Sequence, residues 1–165
     1  MTEVPPLYSA DTSALLDGLE RYYTEASFPC IWEKVDELIA AGRFFISEEV
    51  YEEAKKRTGV VKAWCDRDKT GNLIAPTDGA VTREVQAILA ETPRLVMALK
   101  DRNLADPFVI AVAKLRGATT VTGEGDDGSE KHPKIPFVCA KRKVPRTRFT
   151  STSLIRDEGW VLRAE

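Results

Sequence analysis

Two carboxylates frame the centre of this chain: Asp106, in Leu104-Ala-Asp-Pro-Phe-Val-Ile-Ala-Val-Ala113, and Glu124, in Thr122-Gly-Glu124 just past a short apolar run. A third, Asp11, stands in Tyr8-Ser-Ala-Asp-Thr-Ser-Ala-Leu-Leu16, again between an extended stretch and a helical pattern. Acids gathered at neighbouring strand exits repel one another and lose hydration, so they are costly unless a cation joins them. Oxygen donors of this kind suit Mg2+ or Mn2+, which take a few carboxylates and keep several waters. An ion held so can activate water and stabilise an in-line phosphate displacement. Other chemistries lack material. The sole histidine, His132, lies in a Lys-Pro-rich stretch, and Cys30, Cys65 and Cys139 form no Cys-x-x-Cys pair. That composition disfavours a zinc centre, a Ser-His-Asp triad and a disulfide framework, and it suits a reduced, cytoplasmic compartment.

Each acid also has a plainer role open to it. Asp106-Pro107 reads as a helix N-cap followed by proline at the first helical position, and Asp11 before Thr12-Ser13 reads as a cap or turn residue. Glu53 ends the run Glu48-Glu-Val-Tyr-Glu-Glu53, where exposed helical glutamates are common, and Glu124, Asp126 and Asp127 share a loop. Capping and solvation explain each residue singly. They do not explain why acids recur at strand exits.

The elements that would position these acids follow from hydrophobic spacing. An extended start from Pro6 to Ala10 leads to a helix carrying Leu15, Leu16 and Leu19, with Thr12 or Ser13 as its cap. Ile31, Val35, Leu38 and Ile39 form one face of a second helix that Gly42 stops. Arg43 to Ser47 reads as a buried strand, and Ser47 caps a helix running to about Arg57, with Glu48 and Glu49 at its positive end. A less regular part from Val61, with a charged turn from Asp66 to Gly71, precedes two helices. The first carries Val81, Val85, Ile88 and Leu89; the second, after Pro93, carries Leu95, Val96 and Leu99. The Asp106 helix, a strand from Ala118 to Thr122, a Gly/Asp-rich loop, a strand from Arg146 to Thr150 and a helix from Leu154 to Glu158 complete the chain. Strands separated by helices predict an α/β fold with a mainly parallel sheet, whose ligand crevice lies at the carboxyl ends of the strands.

The 165 residues, 43% of them apolar, amount to one domain spanning residues 1–165 with one ordinary core. No stretch reaches the roughly 18 apolar residues that span a bilayer, and no signal pattern opens the chain. The net charge of -2 hides an asymmetry: Lys131 to Arg148 holds seven Lys or Arg and no acid, leaving 17 basic against 26 acidic residues elsewhere. That run is either a phosphate-attracting face or a solvated surface.

Taken together, Asp11-Thr-Ser13 after a strand, Ser47 with Glu53 six positions on, Ala105-Asp106 leading a helix, and Thr122-Gly-Glu124 after a strand resemble the PIN-domain ribonucleases. Arg21-Tyr-Tyr23, Phe28-Pro-Cys-Ile-Trp32 and Lys134-Ile-Pro-Phe-Val-Cys139 resemble a bacterial PIN-like subfamily, and the likeness spans nearly the whole chain. The resemblance implies a three-layer α/β/α PIN-like domain that cuts single-stranded or structured RNA with Mg2+ or Mn2+. It places Asp11, Glu53, Asp106 and Glu124 at the catalytic metal site, Asp126 as an auxiliary acid, and Thr12, Ser13 and Thr122 as supporting hydroxyls. Glu53 is preferred to Glu49, one turn away, by its distance from Ser47. Glu124 departs from the family, which more often has Asp there, so Asp126 stays open as its replacement. Many relatives are VapC-type toxins of toxin-antitoxin pairs, often homodimeric and held inactive by a bound antitoxin. Tyr22, Tyr23 and Trp32 could line a partner groove or pack internally. Two further readings remain: a PIN-fold module that binds RNA or protein without cleavage, and an enzyme acting on other phosphoesters, including DNA.

Overall fold

The computed structural model describes residues 3–57, 59–97 and 104–161. Five short strands form one parallel sheet: β1 (Tyr8–Ala10), β2 (Phe44–Ser47), β3 (Ile74–Ala75), β4 (Thr119–Val121) and β5 (Arg146–Thr147). Their order is β3-β2-β1-β4-β5, with Tyr8 in register with Phe44 on one side and Thr119 on the other. Parallel strands need crossovers, and helices supply them. From β1 to β2 run α1 (Thr12–Leu16), a π-helical turn at Asp17–Tyr22, and α2 (Pro29–Ala40). From β2 to β3 run α3 (Glu48–Lys56) and α4 (Val60–Asp66). Ahead of β4 lie α5 (Gly79–Glu91), α6 (Arg94–Met97) and α7 (Asp106–Arg116); α8 (Ile135–Arg142) precedes β5, and α9 (Leu154–Asp157) follows it.

Strand side chains alternate between faces, and β2 shows what that builds. Phe44 and Ile46 enter one core with Leu15, Val35, Trp32 and Trp64; Phe45 enters the other with Val85, Ile110 and Val138. Helices therefore cover both faces of the sheet, which is the three-layer α/β/α arrangement expected of a buried parallel sheet. Helix α7 lies deepest: every residue from Val109 to Ala113 is buried. Beneath it, the Ser9 hydroxyl of β1 donates to the Val109 carbonyl at 3.0 Å. None of the described helices is long and apolar enough to cross a membrane.

Several local expectations need correction. The segment from Val61, read as irregular, is helix α4, and Val61, Trp64 and Cys65 are its buried face. Ile135–Arg142, read only as part of a basic run, is helix α8; Ile135, Val138 and Cys139 repeat the same spacing behind a proline in the first turn. In both, charge distracted from a three-plus-one apolar pattern. Strand β3 is two residues long and left no periodicity to read. The last strand ends at Thr147 because Phe149 leaves the sheet to stack on Trp32, with ring centroids 5.3 Å apart. Trp32 is thus a core residue, not part of a partner groove; of the three aromatics singled out, Tyr22 is exposed and Tyr23 half-buried. The helix after Pro93 is the short α6, and Leu99 lies outside the described residues.

Candidate functional site

The chain moves outward from β1 to β2 and β3, then returns to lay β4 on the other side of β1. Loops leaving adjacent strands in opposite directions open a crevice at their carboxyl ends. Asp11 is the first residue beyond β1, Thr122 the first beyond β4, and α3 starts directly after β2. The Ser47 hydroxyl accepts the Val50 amide at 3.2 Å, fixing the start of α3. A cleft of about 510 Å³ results, lined by Asp11, Glu53, Asp106 and Glu124 together with Glu49, Leu16 and the end of α3.

Asp11 is held from several directions. Its Oδ1 accepts the Ala14 amide at 2.7 Å, so Asp11, and not Thr12 or Ser13, caps α1. The Ser13 hydroxyl donates to it at 2.8 Å and the Thr122 hydroxyl at 2.5 Å. Both hydroxyls also accept amides of the β4 exit, Ser13 from Gly123 at 2.9 Å and Thr122 from Glu124 at 3.1 Å. The two loops are therefore laced together through Asp11. Gly123 suits this lacing, because a β-carbon there would meet the Asp17 carboxylate and displace that side chain.

The other acids arrive from separate helices. Glu53 Oε2 accepts the Thr12 hydroxyl at 2.5 Å. Glu124 Oε2 accepts the Ile135 amide at 2.7 Å, at the amino end of α8. Asp106 was expected to cap α7, but Ala105 occupies the cap position and makes no side-chain bond; Asp106 is the first helical residue. Its buried carboxylate has no hydrogen-bond partner among the described residues. The amino end of α7 nevertheless favours a negative charge there.

Burial, then the neighbouring Glu124, Asp11 and Glu53, push the Asp106 carboxyl well above the usual carboxylate range. Burial outweighs the hydroxyl and amide bonds on Asp11 and pushes its carboxyl up to about 7. Burial also raises Glu124, against the Ile135 amide and Lys134. Such acids ionise together only if a cation compensates them. The all-oxygen donor set fits a hard divalent ion in chemistry. In spacing the acids stand apart: among the described residues, no three His, Cys, Asp or Glu are close enough to hold one ion as placed.

Asp126 is not brought to the cleft. Its carboxylate is 66% exposed and ion-paired with Arg146. Glu49, the other candidate on α3, does line the cleft; its Oε1 accepts the Thr77 hydroxyl at 2.7 Å, and its Oε2 is buried without a partner among the described residues. The basic run is largely spoken for: Lys134 pairs with Asp127, Lys141 with Glu130, Arg146 with Asp126, and the buried Arg142 with Glu84 and Glu91. It is not the open cationic face that its composition suggested. Sequence reasoning also passed over Arg148, which donates to the carbonyls of Gly123 (3.4 Å) and Glu124 (3.2 Å) and so braces the β4 exit. No local pattern announces a side chain that acts on backbone 24 residues away.

Comparison with known proteins accords with this geometry. The family model described as "Domain of unknown function (DUF4411)" matches residues 8–162. Among solved structures, the chain is similar to DNA-bound VapBC from Salmonella typhimurium, with 15% identity and a TM-score of 0.54 over 88% of this chain and 100% of that one. It is also similar to FitAB bound to an IR36 DNA fragment, with 19% identity and a TM-score of 0.51 over 86% of this chain and 94% of that one. At such identities the likeness is one of fold. No curated protein matches the chain.

Proposed function

The chain belongs to the DUF4411 family and has a PIN-like fold, and from that premise we propose that it is a Mg2+- or Mn2+-dependent endoribonuclease. The observation that carries this reading is the cleft itself: Asp11, Glu53, Asp106 and Glu124, far apart in sequence, line one crevice at the carboxyl edge of the sheet. The likeness to VapBC and FitAB supports a toxin with a protein antitoxin as partner, and the free cysteines Cys30, Cys65 and Cys139 suit a cytoplasmic one.

The four acids would hold the ion, which when bound supplies a nucleophile at neutral pH and charge compensation for phosphodiester hydrolysis. The chain's own residues do the rest. Ser13 and Thr122 donate to Asp11 and keep its carboxylate oriented. Thr12 does the same for Glu53, and the Ile135 amide does so for Glu124. Burial and the neighbouring acids raise the Asp106 and Glu124 carboxyls, so positive charge in the cleft would favour their ionised forms. Glu49 and Asp126 are left outside this proposed ligand set, the first bonded to Thr77 and the second to Arg146.

The test is cleavage of single-stranded RNA, structured RNA and DNA of the same sequence by the purified chain with Mn2+, beside Asp106→Asn. Wild type should cut RNA and stop on chelation; the variant should fold, since no capping bond depends on Asp106, and should not cut. Equal cleavage by both proteins overturns the assignment. The spacing of the acids favours one other reading, a binding module without cleavage. RNA bound but never cut by wild type, in any metal, would decide for it.

A further inference from the structure

The cleft has an acidic floor, yet two cations complete its lining: Lys56, the last residue of α3, and Arg57, just past it. Both are exposed, and neither has an ion-pair partner among the described residues, whereas the adjacent Lys55 pairs with Glu52. Helix geometry sets their place. Glu49, Glu53 and Arg57 recur every four residues, so Arg57 stands about one turn, roughly 5 Å, beyond Glu53 on the same side of α3. Dipole compensation at the helix end suits Lys55, Lys56 and Arg57 alike, but Lys56 and Arg57 also line the cleft, Arg57 from extended backbone (φ -93, ψ 129). The basic run from Lys131 to Arg148 offers no substitute: none of its residues lines the cleft. Leu16 and Leu104 add apolar surface to the same lining, which suits a base and not a phosphate.

We propose that Lys56 and Arg57 grip the phosphate adjacent to the scissile one, so that the protein takes a single strand running past Glu53 toward the carboxyl end of α3. This rests on the nuclease reading above. Arg57 brings a planar fork of N–H donors suited to two phosphate oxygens, and Lys56 a point charge. The ion that the acids would hold at the floor and the cations at its end together set the register of the strand. A substrate with a single phosphodiester lacks the group these cations hold.

The experiment compares wild type with the double variant Lys56→Gln/Arg57→Gln in Mn2+, on a randomised single-stranded RNA oligonucleotide and on a pool of RNA dinucleotides. On the long strand the variant's KM should rise by roughly 10- to 100-fold, with the loss in KM exceeding that in kcat. The slope of log affinity against log salt should flatten by about 0.7, one phosphate contact on a single strand. The wild-type preference for the long strand over dinucleotides should collapse in the variant, and Lys56→Arg should retain it. Thermal unfolding at the wild-type temperature separates these effects from misfolding. An unchanged KM ratio and salt slope, with both proteins cutting RNA, would overturn the phosphate grip and leave the nuclease reading standing. Absence of cutting by wild type removes the nuclease reading, and this inference with it.

Discussion

Replacing Asp11 with Asn should make the metal-free protein more stable at alkaline pH while abolishing RNA cleavage. The Asp11 carboxyl is pushed from 3.8 to about 7 in the fold, chiefly by burial. A shift of roughly 3 units, at about 1.4 kcal/mol each, is on the order of 4 kcal/mol. Its sign follows from which state holds the proton. The native protein binds it more tightly, so this contribution is fully present below about pH 4 and is lost as pH rises through about 7. Asparagine carries no charge to desolvate. It can still accept the Ala14 amide that Asp11 accepts at 2.7 Å, and its own amide can donate to the Thr122 hydroxyl. Allowing about 1 kcal/mol for the weaker bonds, Asp11→Asn should gain about 2–3 kcal/mol near pH 8, or roughly 5–10 °C in Tm. Near pH 4 the two proteins should agree within about 1 kcal/mol. Urea or thermal unfolding in chelator across this range measures the difference. Mn2+ should then stabilise wild type more than the variant, because a ligand stabilises only the state that binds it. The remaining raised acids, Asp106 and Glu124, give the variant a weaker drift of the same sign. Parallel stability curves for the two proteins across pH would refute the reasoning.

Two further outcomes test the surroundings of the cleft. Arg142→Ala should cost about 2–4 kcal/mol in a denaturant titration, since Arg142 is only 8% exposed and its loss leaves Glu84, itself 17% exposed, without that partner; a loss under about 0.5 kcal/mol would show the pair to be a surface one. Asp126→Asn should change Mn2+ affinity and cleavage by less than about threefold, because an exposed ion pair with Arg146 contributes little; a loss of tenfold or more would return Asp126 to the metal site.

The cleft was legible in the sequence because its acids sit in local signatures. Asp11 and Thr122-Gly-Glu124 each follow a short buried strand, Ser47 ends another, and a parallel sheet sends every such exit to the same edge. What the sequence obscured depends on partners far along the chain. Nothing near Arg142 discloses that Glu84, 58 positions earlier, will neutralise it, so the run from Lys131 to Arg148 looked like a free charged face. Trp32 reads as open to a partner groove or to internal packing, and Phe149, far along the chain, stacks on it and decides for the core. Both caps lie toward the amino end of the expected positions: Asp11, which the motif offered beside Thr12 and Ser13, caps α1, and Ala105 takes the position expected of Asp106. The first motif holds several residues competent to cap, and backbone dihedrals choose between them.

The anchoring of the acids by backbone amides has a consequence for how this fold tolerates change. Ala14 holds Asp11 and Ile135 holds Glu124 through N–H groups that every residue except proline supplies. The amino end of α7 offers Asp106 the partial positive charge of eleven aligned peptide units. Part of the electrostatic support is therefore written in the path of the main chain, and the hydroxyls of Ser13, Thr122 and Thr12 supply the rest. Ala14 and Ile135 can therefore give way to any residue of similar size except proline without losing these bonds, whereas the hydroxyls of Thr12, Ser13 and Thr122 cannot be exchanged so freely.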